Sequence, residues 1–466
     1  MMRRAWLALP LLLGGVLLAP AGPAAAHAAR WQIPIEVKKF PNGLTVVVSQ
    51  DHSAPTFGLC LAFRIGFRLE PKGRTGFAHL FEHMMFEGTP NAPKGVFDRV
   101  IEGGGGVNNG STRYDYTNYI ETAPVSALDP ILWLEADRMK TLDFSEKNLK
   151  NQQEVVKEEI RVNVKNRPYG IFFWTDVAGK AFDKWENSHD GYGSFEDLDA
   201  AKLADVEAFF KSYYGPNNAI LAIVGDVKPA EVFGKVEKYF GGIPARQTPQ
   251  PPDVSEAMNQ GERTLEQTDP LARVPGIAVA WKMPARGSRD HVPAAVLADL
   301  LVGGEASRFY QVLVKGKEIL LSVQGGLNWP LGTPWDYNGP TLLDIFAIYK
   351  PTTDARTVVD AMNGEIEKVA REGVPAGELA RTKTKMAADL YSTLELPLNR
   401  STALCLAQLF TGNAASINEL PGRIETVTSA DLQRVAATYL TAANRTVVDR
   451  KPAPQTAAAD PAADPR

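Results

Sequence analysis

Two histidines and an acid share one short run, Gly76-Phe-Ala-His79-Leu-Phe-Glu82-His83-Met-Met-Phe-Glu-Gly88. Side chains four residues apart leave the same face of a helix one turn from each other, so His79 and His83 can hold a single metal ion. At about 100° per residue, Glu82 stands roughly 60° to one side of His79. That offset lets it take a proton from water activated by the ion without being forced to ligate the ion itself. The chain contains only six histidines in 466 residues, and chance seldom sets two of so few in this register with an acid between them. Surface histidines on an amphipathic helix are the bland reading of the same run.

A second segment, Gln152-Gln-Glu154-Val-Val-Lys-Glu158-Glu159-Ile160, carries adjacent acids. A helix beginning at Ser145 and stopping before Pro168 puts Val155, Val156, Glu159 and Ile160 on one face and Glu158 about 100° away. Glu159 is then the buried-face carboxylate. On these residues alone, ligation by Glu159 and a solvated charge beside Lys147, Lys150 and Lys157 are equally good readings. A third segment runs from Gly103 through Gly106, Asn109, Gly110 and Thr112 to Tyr119. Its glycines permit a tight turn, and Ser111, Arg113, Asp115, Thr117 and Tyr119 alternate as on a strand with one polar face. Alone, that pattern is a hairpin and nothing more.

The run His79-Leu-Phe-Glu82-His83-Met-Met-Phe-Glu-Gly-Thr resembles the inverted-motif zinc peptidases of the pitrilysin/insulinase family, which include the mitochondrial processing peptidases. The resemblance spans nearly the whole chain and is strongest in its first half. It implies one Zn²⁺ per chain, with His79, His83 and Glu159 as ligands and Glu82 as general base in endopeptidase hydrolysis; 75 residues separate His83 from Glu159. Zinc over manganese or cobalt is a family expectation, because two nitrogens and an oxygen do not decide among them. Many relatives carry another glutamate two turns before the third ligand; here that place is Gln152, an altered second layer around the metal in which an amide still hydrogen-bonds. In the family context the strand after the glycines accepts substrate as an added strand, with Asn109 and Gly110 beside its backbone.

The second half of family members, or of their partner subunits, carries an arginine and a tyrosine seven residues apart that face the zinc. Aligning Leu300 to Val323 on that segment puts Val314 and Leu321 there. Arg308 and Tyr310 are near but wrongly spaced. The chain therefore resembles the zinc-bearing subunit of a two-chain peptidase, completed by a paralogous partner that lacks the zinc motif; a homodimer is the other option. The alternative function is a non-catalytic assembly subunit of the same fold, against which the intact His79, Glu82, His83 and Glu159 weigh.

The elements that must position these groups recur in two copies. Asp205-Val206, Phe209, Tyr213 and Asn218 match Asp431-Leu432, Val435, Tyr439 and Asn444 at one offset, each copy running from a helix into a strand. FGLCLAF (57–63) likewise matches PGIAVAW (275–281). The metal motif is not repeated: its counterparts are Leu297, Leu300 and Leu301. The expected fold is α+β, with two homologous lobes (29–242 and 263–450), each a mixed, mostly antiparallel sheet packed by helices, together half of a clamshell chamber. A Pro-rich linker spans 243–262, and an Ala/Pro/Asp tail, expected to be disordered, spans 451–466.

Residues 1–28 place Arg3 and Arg4 before an apolar run and end in small residues, the order of a secretory signal peptide; Pro10, Gly14 and Gly15 interrupt the run, which is too short to span a bilayer. The protein is therefore expected in an exported, periplasmic or secreted, compartment, without stable membrane insertion. With 44% hydrophobic residues and a formal charge of −4, the composition is that of a globular chain without a basic surface for nucleic acid. Cys60 and Cys405 read as buried, unpaired thiols, and His52, His189 and His291 as surface or structural residues.

Overall fold

Runs of Val, Ile, Leu and Phe bounded by turn residues pair into two sheets. The computed structural model describes residues 31–454; the leader 1–28 and the end of the tail lie outside the described residues. The first sheet contains β1 (Glu36–Lys39), β2 (Thr45–Gln50), β3 (Thr56–Phe63), β4 (Val107–Thr112), β5 (Thr117–Pro124) and β6 (Ala219–Gly225). The second contains β7 (Arg263–Asp269), β8 (Gly276–Lys282), β9 (Leu320–Leu327), β10 (Leu342–Tyr349) and β11 (Arg445–Pro452). Their spatial orders are β1-β2-β6-β3-β5-β4 and β7-β11-β8-β10-β9. Apart from the extra β1 the two orders correspond strand for strand. Each sheet has one parallel pair, β2 with β6 and β7 with β11, and is otherwise antiparallel. The fold is thus α+β, with two like sheets packed by helices.

Seven helices matter for the site and its support: α1 (Phe77–Met84), α2 (Glu146–Ile160), α3 (Val177–Ala181), α4 (Leu203–Tyr213), α5 (His291–Val302), α6 (Pro397–Thr411) and α7 (Ser429–Tyr439). The repeat noted in the sequence has a physical basis in α4 and α7. Asp205 and Asp431 each accept the backbone N–H three residues back, at Lys202 (3.1 Å) and Thr428 (3.0 Å), and Thr428 returns the bond by accepting the Asp431 N–H at 3.2 Å, completing a capping box in the second copy. Asn218 and Asn444 each donate through Nδ2 to the carbonyl of the tyrosine ending the preceding helix, both at 2.8 Å, and to the carbonyls of Arg64, just after β3, and Lys282, the last residue of β8. These short polar residues fix the angle at which each helix turns into its strand.

The halves exchange helices. The face of the first sheet formed by Val47, Cys60, Ala62, Ile220, Ala222 and Val224 is covered by Leu404, Cys405, Leu406 and Leu409 of α6, which belongs to the second half. The second sheet's Ala278, Ala280, Phe346 and Val448 are covered by Val177, Ala178 and Ala181 of α3 together with Phe172 and Phe182, all from the first half. A glycine marks each crossing. A Cβ on Gly58 would lie 2.4 Å from the Leu398 nitrogen, and one on its counterpart Gly276 would lie 2.8 Å from the Tyr169 ring. Cys60 and Cys405 are buried and free where α6 crosses β3.

Several expectations need correction. The run 111–119 is not one strand: β4 ends at Thr112, residues 113–116 turn, and β5 begins at Thr117, so Thr117 and Tyr119 are buried rather than on a polar face. Val155 is 42% exposed, off the buried face that Val156 and Ile160 occupy. The segment 243–262 is irregular up to β7 yet pinned, since Glu256, half-buried with its side chain covered, accepts the amides of Asp183 and Lys184 and pairs with Lys282 at 2.8 Å. Lys451 and Pro452, assigned to the tail, continue β11 beside Thr268 and Asp269. Among the described residues no helix is long and apolar enough to cross a membrane.

Candidate metal centre

Helix α1 is held by its apolar residues: Phe77, Ala78, Leu80, Phe81 and Met84 are buried in the first core, so the remaining face is fixed in direction. His79, Glu82 and His83 lie on it. Gly76, just before the helix, has a φ of 77°, and a Cβ there would stand 2.3 Å from the Tyr192 carbonyl. That close crossing brings Tyr192 against the motif. Helix α2 is capped by Ser145, whose side chain accepts the Asn148 amide, and delivers Glu159 at its penultimate position.

The ligand atoms converge. His79 Nε2 and His83 Nε2 are 3.2 Å apart, and Glu159 Oε2 lies 3.7 Å from the first and 3.4 Å from the second. A tetrahedral ion with bonds of about 2.0–2.1 Å holds neighbouring ligand atoms about 3.3–3.4 Å apart. The donor set therefore fits zinc in spacing as well as in chemistry. Among the described residues this is the one group of three or more His, Cys, Asp or Glu close enough to hold a metal. Glu158, by contrast, is exposed and pairs with Arg161.

Charge around the site follows from burial and pairing. Burial, aided by the neighbouring His83, pushes His79 down to about 4, so it is the neutral ligand form. Burial also works against the His83 imidazolium, but Glu159 and Glu82 outweigh it and raise its pKa. Glu159 is lowered by its bond to His83 despite partial burial, and Tyr192 supports it by donating to Oε1 at 3.2 Å. The Tyr192 ring also stacks edge-on against His79, with centroids 5.1 Å apart. Glu82 is buried and its pKa is raised, although Thr112 donates to Oε2 at 2.6 Å.

Gln152 has a definite task. Its Nε2 faces the carboxylate of Glu87, which only accepts, so the amide must turn Oε1 toward His83 Nδ1, 3.2 Å away. His83 then carries its hydrogen on Nδ1 and turns the Nε2 lone pair toward His79 and Glu159, the form a metal ligand requires. Lys94 completes the chain by pairing with Glu87 at 2.6 Å. Gly110 sits under Glu82: a Cβ there would come within 3.0 Å of its Oε1. Asn109 is exposed on β4, the edge strand, and its Oδ1 accepts the Gly110 amide at 2.9 Å.

In the second half Leu297, Leu300 and Leu301 are buried on the apolar helix α5, which offers no ligand. Val314 packs against the second core, Leu321 is 48% exposed at the start of β9, and Arg308 is committed to a two-pronged pair with Glu378. Sequence reasoning missed Tyr192, Thr112 as partner of Glu82, and the link between Glu70 and His189 described below. None of these has a fixed spacing from the motif that could have announced it. His52 pairs with Asp226, and His291 meets the Pro334 carbonyl at 2.7 Å.

Residues 45–170 match the family model described as insulinase (peptidase family M16), and residues 200–386 match that of the peptidase M16 inactive domain. The chain is 28% identical over 443 residues to the zinc protease PqqE of Helicobacter pylori, covering 94% of this chain and 98% of that one. It is 24% identical to a probable mitochondrial-processing peptidase subunit beta of Arabidopsis thaliana, covering 87% and 76%. A solved protease from Helicobacter pylori superposes with a TM-score of 0.83 at 26% identity, over 90% of this chain and all of that one. With both family models matched in order along one fold, the chain belongs to the insulinase (M16) peptidase family.

Proposed function

We propose that this chain is a zinc-dependent endopeptidase acting on peptides or unfolded segments. The observation that carries the reading is the convergence of two imidazole nitrogens and a carboxylate oxygen within 4.8 Å of one another, with the Glu82 carboxylate beside them. The zinc protease name of the Helicobacter relative supports it. Zinc held by His79, His83 and Glu159 would polarise a scissile carbonyl and bring the pKa of water toward about 7.

The chain's own residues do the rest. Thr112 holds one oxygen of Glu82 and leaves the other to accept the proton of the attacking water. Burial raises the affinity of that carboxylate for a proton, which it then returns to the leaving amine. The unpaired edge of β4 receives the substrate as an added strand, with Asn109 and Gly110 along its backbone. Val314 and Leu321 supply neither cation nor hydroxyl, so a paralogous subunit completes the site, as a subunit name among the relatives also suggests. The order of charged, apolar and small residues in 1–28 supports an exported compartment.

The test is hydrolysis of an unstructured peptide by the purified chain, alone and with its paralogue, with zinc content assayed. Activity in the mixture that falls on the order of 10³-fold in Glu82→Gln while zinc is retained is the expected result. Activity of the chain alone overturns the need for a partner. Bound zinc with no hydrolysis in any combination overturns the enzyme and favours an assembly subunit.

A further inference from the structure

The first turn of α1 is gripped from outside the helix. Glu70 is buried; its Oε1 accepts the Ala78 N–H at 2.7 Å and its Oε2 the Gly76 N–H at 3.0 Å. These are amides that a helix start leaves without partners. Oε2 also meets His189 Nε2 at 3.1 Å, and the other nitrogen of that ring, Nδ1, lies 2.7 Å from the Trp185 carbonyl. Trp185 stacks on the imidazole at 4.0 Å, nearly parallel, and shields it from water.

Counting hydrogens on this arrangement gives a definite answer. A carbonyl oxygen only accepts, so His189 Nδ1 carries a hydrogen. An ionised carboxylate also only accepts, so either His189 Nε2 carries a second hydrogen or Glu70 carries one and donates it. In both cases the pair holds one proton more than an ionised acid beside a neutral imidazole. Without that proton, a carboxylate would face a ring lone pair at hydrogen-bond distance inside the protein.

We propose that Glu70 and His189 are positioning residues for hydrolysis, a clamp closed by one shared proton that fixes the start of α1 and thereby the directions of His79 and Glu82. The proposal rests on the metallopeptidase reading only through the groups it aims. When the shared proton leaves, repulsion between the acid and the ring loosens the grip on Gly76 and Ala78, and the motif loses its alignment. Burial, opposed by His189 and the two amides, pushes Glu70 up to about 7, while Glu70 raises His189 against the effect of burial. Other charged groups lie on the elements around the pair. Asp190 lies beside His189, accepts the Tyr192 amide and is offset by Lys165; Lys72 lies 6.0 Å from the Trp185 ring; and Asp197 binds Thr75 in the turn entering α1.

The experiment uses the full zinc-loaded chain, with its paralogue where hydrolysis requires one. In ¹⁵N-histidine spectra, with His189 assigned by its loss in His189→Gln, the clamp predicts that one proton leaves the His189–Glu70 pair in a single step. The alkaline limb of kcat falls in the same pH range. Glutamine at 189 still donates to Glu70 but has no proton to lose, so that limb moves up by a pH unit or more in His189→Gln, with KM unchanged. Glu70→Gln lowers kcat roughly tenfold across the range, the cost of a weakened cap. A neutral His189 beside an ionised Glu70 throughout the neutral range, or an unmoved limb in His189→Gln, overturns the clamp. If no form hydrolyses peptide, the metallopeptidase reading fails by itself. The clamp is then judged by Zn²⁺ affinity in chelator competition, which must fall more steeply with rising pH in the wild type than in His189→Gln.

Discussion

At the residue scale the centre depends on which atoms carry hydrogen and which have room. Because Glu87 sets the Gln152 amide and the amide sets the His83 tautomer, Gln152→Leu should weaken zinc binding about 10–100-fold with the fold intact. Chelator competition followed by circular dichroism checks both parts. Gly110 leaves space for the base, so a methyl group at 3.0 Å from Glu82 Oε1 must displace that carboxylate. Gly110→Ala is therefore expected to cut kcat roughly tenfold, by misplacing the carboxylate proposed as general base, while zinc content stays at the wild-type level. Much of this layer was legible in the sequence, since two histidines and an acid on one helix turn declare their direction by spacing alone. Tyr192 and Glu70 were not, because Tyr192 reaches the motif through the crossing of Gly76 and Gly193 and Glu70 through its bonds to the Gly76 and Ala78 amides, and neither approach leaves a periodic trace.

At the element scale the reading of β4 shows where periodicity misleads. Ser111 to Tyr119 alternate cleanly, yet Arg113 to Tyr116 form a tight turn that reverses the phase: Ser111 lies opposite Asn118 and Thr112 opposite Thr117, so Thr117 and Tyr119 share the face of Thr112 rather than that of Ser111. The structure leaves β4 as the outer strand beside Glu82, where a peptide could pair. The helix–strand repeat was legible because capping Asp and turn-fixing Asn recur at one offset. The roles of Gly58 and Gly276 were not, since a glycine in a strand gives no sign of what passes over it. Gly58→Val would drive its side chain into the backbone of Leu398, at the start of α6, which cannot yield without shifting. Overpacking of this kind costs about 1–3 kcal/mol, and urea unfolding should show that loss in a variant that still binds zinc.

At the scale of the whole molecule the exchange of α3 and α6 makes the two halves interdependent. In the sequence both helices look like ordinary partners of their own sheets, because an apolar stripe does not say which sheet it covers. Each sheet's inner face is instead closed by the other half: Val47, Ala62 and Val224 by α6, and Ala278, Phe346 and Val448 by α3. A fragment covering 29–242 would keep the whole first sheet and the metal ligands but expose an apolar face built from several strands, which monomeric proteins rarely tolerate. It should therefore be insoluble or molten alone, with loose zinc binding, despite holding every ligand. Co-expression with 243–466 should restore a soluble complex, because each fragment carries the helix that the other lacks, and zinc affinity should return with it. Size-exclusion chromatography and metal analysis of the fragments, separate and together, decide the matter. A soluble 29–242 fragment with native zinc affinity would show that the helix exchange contributes nothing to the site, and the centre would then be a property of one sheet rather than of the interlocked pair.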